Sequence, residues 1–477
     1  MTEPTRLTFA SESDDPFVAY ALALAGDFCG VVFRDAGRES GPVALYYGAD
    51  SARPCALRIP CVAGYGRRDV PRVPGPADRP GRDGSAPFPF DLIAALRFWL
   101  ADEGNATLPA EAYDQHERLL AKRSAQEEAG LREVPIVNAY LLLLRDWLGA
   151  RLDVPARRRV PGGRRCAVVL SHDVDLPLDP TDLGPSLRLA ASRLRTRPLR
   201  APLYAGMLAG HAARARLRTP GARRWLFDDV RGAEDRHGFR STFFFASTSR
   251  FDRSGTRRDV TYDLASPRMA DACRAIVESG WEVGLHIGYG AGHDPRRIAA
   301  ERERLEAVTG RPVAGSRHHF WHLGRPFWPA LQAHAEAGLS YDSSVAFNEA
   351  PGYRLGVALP FRPWDPERGK SIPAVQVPTM AMDGAFLYRP GQTVVDVMDG
   401  FGRLLDELKR NEGTAAIDWH QETSFPAVGP FRHWGEAYLA ILDALAADPD
   451  VAVVGYEDAV AGALGPGAGS PAGREAP

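Results

Sequence analysis

The sequence predicts an α/β protein, a distorted (β/α) barrel of about seven strands preceded by a smaller α/β domain. Three observations carry this. From residue 165 onward, short apolar runs alternate with segments of helical period, the pattern of a parallel sheet. Seven such runs in about 300 residues suit a barrel better than an open nucleotide-binding sheet. No G-x-G-x-x-G follows any of them, which removes the dinucleotide fingerprint.

The elements follow in order. Residues 71–90 hold six prolines and three glycines, so they read as a loop. FDLIAALRFWLADEG then reads as an amphipathic helix, opened by Asp91 and closed near Gly104. VNAYLLLLRDWLGARL is the next helix. The Pro/Gly/Arg segment PARRRVPGGRR marks a boundary near residue 160. This divides the chain into an N-terminal accessory domain (1–160), a barrel (161–464) and a disordered tail (465–477). The expected barrel strands are CAVVL (166–170), STFFFA (241–246), WEVGLH (281–286), VAGSR (313–317), AVQVP (374–378), TAAIDWH (414–420) and VAVVG (451–455). One intervening helix has Ser266 as cap, Pro267 at its first position and Gly280 beyond its end. The next repeats this with Asp294, Pro295 and Gly310.

Composition excludes several classes. With 477 residues, 45% of them hydrophobic, the chain is long enough for two packed domains. No apolar run reaches membrane-spanning length, and the first residues lack the basic-then-apolar pattern of a secretory signal. Five scattered cysteines form neither a disulfide framework nor a zinc ribbon. These features lead to the expectation of a cytoplasmic protein. The net charge of −2 hides one asymmetry: Leu183 to Phe227 holds ten arginines and no acidic residue. This basic stretch is read as a solvated excursion, with peripheral contact at the inner membrane face as the second reading. By position it would lie over the barrel mouth. A nucleic-acid partner is not expected, and the oligomeric state is not legible.

The chemistry sits where the strands end, as it does in parallel barrels. The first strand runs into Ser171-His172-Asp173-Val174-Asp175. Others end in His286, in Arg317-His318-His319 and in Asp418-Trp419-His420. Tyr341-Asp342-Ser343-Ser344 falls where another strand should start. A carboxylate pair on one turn can divide its work, one binding a metal and the other acting as base. Histidines from other strands could complete a metal site with an open position for water. A further histidine could protonate a leaving group. Together these describe metal-assisted hydrolysis of an amide or ester.

The same residues carry a resemblance. From about 165 to 460 the chain resembles the polysaccharide deacetylase family, also called the NodB-homology or carbohydrate esterase family four group. SHDVD (171–175), GWEVGLHIGY (280–289), GSRHHF (315–320), YDSS (341–344) and IDWH (417–420) look like its five motifs, in order. FPFDLIAALRFWLADE, DQHERLLAKRSA and VPIVNAY resemble a domain of unknown function that precedes such deacetylases. The resemblance implies Asp173 as general base, Arg317 as its partner, and His420 as the acid, oriented by Asp342. It implies Asp175 and His286 as ligands of one divalent metal, zinc first among candidates. Trp419 and Tyr341 would wall the pocket against a carbohydrate substrate, and His172 is placed with them.

One departure matters. The family's second motif supplies two histidines four apart, and position 290 here is Gly. His319, from the neighbouring strand end, is the preferred third ligand, ahead of His172 and His293. His318 should alternate to the other side. The implied activity is removal of acetyl groups from an N-acetylated sugar or polysaccharide. The rivals are hydrolysis of another linear amide or an O-acetyl ester, a non-catalytic glycan-binding or scaffold protein, and a metal-free glycosidase pairing Asp175 with Asp342 or Asp418.

Overall fold

The computed structural model describes residues 4–37, 41–49, 53–64, 69–70, 73–80, 86–156, 160–177, 206, 210, 225–248, 259–260, 262–387, 391–426 and 431–463. Most of the basic stretch 183–227 and the tail 465–477 lie outside these residues.

The N-terminal region is built on four parallel strands: β1 (Thr5–Ser11), β2 (Val31–Asp35), β3 (Val43–Tyr47) and β4 (Cys55–Ile59), in the order β2-β1-β3-β4. Helix α1 (Pro16–Cys29) crosses from β1 to β2. Asp15 caps it by accepting from the Phe17 N–H, and Gly30 ends it in the left-handed conformation at φ 74°. Helix α2 (Leu92–Leu100) begins where the sequence places it, with the Asp91 side chain accepting from the Ala94 N–H. Helix α3 (Ile136–Leu152) completes the layer.

This core does not stop at the linker. Phe17, Leu22, Trp99, Ile136 and Tyr140 pack in one cluster with Leu331, Leu355, Leu359 and Trp364 from the later chain. Arg145 bridges the two regions with both guanidinium ends, at 2.7 and 2.9 Å from the Glu412 carboxylate. The N-terminal region is therefore seated on the barrel through apolar burial and paired charge.

The second region is a distorted (β/α) barrel, a curled parallel sheet flanked by helices. Its first strands are β5 (Cys166–Val174), β6 (Thr242–Phe245), β7 (Glu282–Ile287), β8 (Gly315–His318) and β9 (Tyr341–Asp342). A small hairpin of β10 (Trp364–Asp365) and β11 (Lys370–Ser371) interrupts them. Then come β12 (Val375–Gln376), β13 (Thr379–Met382), β14 (Thr414–Asp418) and β15 (Val451–Val454). The order is β12-β9-β8-β7-β6-β5-β14-β13, with β15 also pairing β5. The flanking helices are α4 (Phe227–Asp235), α5 (Pro267–Glu278), α6 (Pro295–Thr309), α7 (Trp328–Glu336), α8 (Val394–Arg410), α9 (Arg432–Ala447) and α10 (Tyr456–Ala463).

The two edges of this sheet are consecutive pieces of one segment. β12 pairs with β9, and only two residues later β13 pairs with β14. The Val377 N–H donates to the Asp342 carbonyl, and the Pro378 carbonyl accepts from the Ala416 N–H. One stretch of chain thus borders both edges and draws the sheet round.

Side-chain alternation sorts every strand into two faces. On β5, Val168 and Leu170 join the core under the helices, while Val169 joins the barrel interior with Phe244, Tyr341, Ala416 and Tyr456. The interior is crowded: a Cβ at Gly315 would lie 1.8 Å from the Tyr341 ring. Among the described residues, no helix is long and apolar enough to cross a membrane.

Candidate functional site

Continuing the alternation along β5 turns Ser171, Asp173 and then Asp175 inward, toward the C-terminal end of the barrel. The same rule turns His286 of β7 and Arg317 of β8 inward, with His319 just past the end of β8. These residues meet. Asp175 is the hub: Oδ1 lies 3.3 Å from His286 Nε2, and Oδ2 lies 3.3 Å from His319 Nε2 and 3.8 Å from His420 Nε2. Asp173 sits beside it, 3.9 Å from His286 Nε2.

Each imidazole is oriented through its other nitrogen. His286 Nδ1 lies 3.0 Å from the Arg317 carbonyl, which can only accept, so Nδ1 carries the proton. His319 Nδ1 lies 3.3 Å from Asp259 Oδ1, and His420 Nδ1 lies 3.0 Å from Asp383 Oδ1. Three Nε2 atoms therefore converge on one carboxylate. In neutral imidazoles these are lone pairs facing lone pairs, an arrangement that needs a proton or a cation between them.

The site's polar bookkeeping says the same. Asp175 Oδ1 and His286 Nε2 are buried without a hydrogen-bond partner. Such orphans are rare in native proteins and call for an explanation. A His₂-carboxylate set with backbone and carboxylate partners on the outer nitrogens fits a divalent first-row metal. Without metal, protons take its place. Burial opposes charge on His319, but Asp175 and Asp259 outweigh it and push its pKa up to about 9. Burial likewise opposes ionisation of Asp175, yet the facing His319 and His286 hold its carboxyl well below the usual range.

Arg317 is fully buried and forms the second focus. Its Nη1 donates to Asp173 Oδ1 at 2.9 Å and lies 2.9 Å from Asp418 Oδ1. Its Nη2 donates to Tyr456 Oη at 2.7 Å and to Ser171 Oγ at 2.9 Å. Burial raises Asp173, but Arg317, His286 and His420 bring it below the ordinary value. Asp418 goes the other way, raised by burial and by the Asp173 charge. One guanidinium thus faces two carboxyl groups whose pKa values are pushed in opposite directions. His420 is pushed well above the normal histidine range: burial opposes this, but Asp383, Asp418 and Asp175 prevail.

Four sequence expectations need correction. Asp342 does not orient His420. It faces outward from β9, where Oδ2 lies 3.1 Å from His334 Nδ1 and also accepts from Ser316 and Ser344. Asp383, one residue past β13, takes that place. Trp419 is not a pocket wall, because it faces the helical layer, buried against Tyr438 and Phe386. Tyr341 does point into the barrel, but at the opposite end, stacked on Tyr456 and donating to Glu282 at 2.5 Å. His172 also faces outward, with Nε2 2.7 Å from Glu234 and Nδ1 2.7 Å from the Trp419 carbonyl. His318 lies outward, against His334. His293 is turned to the Leu323 carbonyl at 3.0 Å.

Sequence reasoning missed Asp383 and Asp259. Asp383 had a usable signal, since the apolar run AVQVPTMAM ends in an acidic residue. Asp259 had none, because it stands outside any strand. A cavity of about 430 Å³ is lined by Tyr113 and Arg118 of the N-terminal region and by Trp321, Arg325 and Phe327 after β8.

No family model matches the chain, and no curated protein matches it. The chain is similar over part of its length to several solved structures. A protein from Mycobacterium smegmatis, assigned as a polysaccharide deacetylase, shares 18% identity over 63% of this chain and 91% of its own, with a TM-score of 0.39. Puue allantoinase shares 13% over 66% and 96%, at 0.43. A family 4 acetyl xylan esterase from Clostridium thermocellum, in complex with a cobalt ion, shares 13% over 62% and 90%, at 0.27.

Proposed function

We propose that this protein is a metal-dependent hydrolase that removes acetyl groups from an N-acetylated sugar or polysaccharide. The observation that carries the proposal is the convergence of His286 and His319 Nε2 on Asp175, each at 3.3 Å with the outer nitrogen already tied. Asp175, His286 and His319 would hold the metal, zinc being the first candidate for such a donor set. Bound there, a divalent cation supplies Lewis acidity toward a carbonyl oxygen and lowers the pKa of a water.

The remaining residues divide the proton work. Asp173 is the base: Arg317 keeps it ionised at neutral pH and holds the carboxylate still. His420 is the acid. Asp383 fixes Nδ1, so Nε2 carries the mobile proton toward the same space. As the C–N bond breaks, that proton goes to the departing amine nitrogen, which could not leave as an anion. Asp418 stands on the same guanidinium, its Oδ1 2.9 Å from Arg317 Nη1, and burial and the Asp173 charge push its carboxyl above the ordinary value.

Metal content by elemental analysis, after soaking with Zn²⁺, Co²⁺, Mn²⁺ or Ni²⁺, tests the reading together with acetate release. One ion per chain is expected in the wild type and none in Asp175→Ala or His286→Ala. Acetate should be released from N-acetylglucosamine oligomers. Release only from O-acetylated xylan would move the substrate to an ester, and a wild type that takes up no metal overturns the proposal.

A further inference from the structure

The third ligand stands on an unusual piece of backbone. Directly after His319, Phe320 and Trp321 both adopt positive φ, 59° and 50°. Neither is glycine, and such conformations persist only where surrounding structure enforces them. Barrel residues pack this turn, Met382 and Ala385 against Trp321 and Tyr289 against Phe320, and the N-terminal region adds polar contacts. Residues Tyr113 and Leu119 pair as an antiparallel bridge, and Asp114 accepts from Arg118 Nε at 2.8 Å within that hairpin. From its tip, Arg118 Nη1 donates to the Phe320 carbonyl at 3.1 Å and to Asn348 Oδ1 at 2.6 Å.

A second line of contact runs through His116. Its ring packs on Phe320, centroids 4.7 Å apart, and its Nδ1 lies 3.1 Å from Tyr289 Oη. The Tyr289 N–H donates to Asp259 Oδ1 at 2.7 Å, the same oxygen that faces His319 Nδ1. Arg118 therefore reaches the residue after His319, and His116 holds the side chain of Tyr289, whose backbone N–H donates to the carboxylate that orients the His319 ring.

We infer that the hairpin 113–119 is a positioning element for the metal centre: Arg118 and His116 hold the Phe320–Trp321 turn so that His319 supplies the ligand which Gly290 does not. This rests on the metal reading above. Arg118 and His116 touch neither metal nor substrate, and they act through His319.

The test uses the full chain loaded with Co²⁺. Affinity is read by chelator competition, and ligand geometry by the visible absorption of the ion. Wild type is compared with Arg118→Ala, Arg118→Lys and Arg145→Ala. The last breaks the other charged bridge between the regions, the Arg145–Glu412 pair. Arg118→Ala is expected to weaken Co²⁺ binding at least about tenfold and to alter the spectrum. Arg118→Lys should weaken it too, because lysine lacks the fork that spans Phe320 and Asn348, and it decides the matter if the alanine variant does not fold. Arg145→Ala should lower Tm and leave affinity and spectrum unchanged.

Wild-type affinity and spectrum in the Arg118 variants would overturn the inference, as would an equal loss in Arg145→Ala. A wild type that binds no Co²⁺ would overturn the metal reading itself, a distinguishable result.

Discussion

Two carboxylate–histidine pairs sit on this barrel with nearly the same geometry and different fates. Asp342 faces His334 at 3.1 Å, and Asp383 faces His420 at 3.0 Å. The first pair is sealed between the outer face of β8 and β9 and helix α7. Its carboxylate also accepts from Ser316 and Ser344, and the His334 side chain has no exposed area. The second pair stands at the barrel mouth. Its histidine is 18% exposed, with Nε2 turned toward Asp175. A carboxylate that orients an imidazole is thus not in itself a sign of chemistry. What matters is whether the other nitrogen meets a protein wall or an open space.

The strongest way to break this comparison is to remove the acid. His420→Ala should lower kcat by about 10²–10⁴-fold, the usual worth of a positioned proton donor, with metal content unchanged. Asp383→Asn should follow it in steady-state assays, with the pH profile of kcat displaced to lower pH, since the Asp383 charge is the leading cause that raises His420. Unchanged turnover in both variants would remove His420 from the reaction.

The counterpart substitution should do something else. Asp342→Asn leaves buried hydroxyl and imidazole donors short of an acceptor, at a cost of about 1–3 kcal/mol. Chemical denaturation should show that loss, while kcat per folded molecule stays at the wild-type value. A fall in kcat with unchanged stability would reverse the roles of the two aspartates.

An effect on stability alone, and only over part of the pH range, is expected at the closed end of the barrel. Burial pushes the Glu282 carboxyl up from 4.5 to about 7, against the hydrogen bonds from Tyr341 and Thr242. The folded state then binds a proton that the unfolded chain has released. Its contribution makes stability fall as pH rises from about 4.5 to about 7, and the loss is complete above that window. Glu282→Gln should flatten this part of the curve in urea melts at stepped pH, with kcat unaffected. An unchanged slope would mean that Glu282 is ionised in the fold.

Much of this was legible in the residues themselves. The alternation of apolar runs and capped helices marked a parallel barrel, and polar residues at strand ends marked its working face. The outward positions of Asp342, His172 and Trp419 were legible too, because each stands one residue from an inward neighbour on its own strand. Asp342 pairs with Ser316, not with Arg317, and Trp419 follows the inward Asp418. Reading each fragment as a motif passed over that parity.

Sequence alone marked most of the barrel strands, several helices and which residue types gather at the strand ends. These depend on local periods of two and about 3.6 residues, which the chain carries in itself. Tertiary structure decided the partners. Asp383 reaches His420 because residues 375–382 border both edges of the sheet, while Asp259 reaches His319, and the hairpin 113–119 the adjoining Phe320, from outside the barrel strands. Contacts between segments that far apart depend on how the sheet curls and what packs over its mouth, and no local period records either.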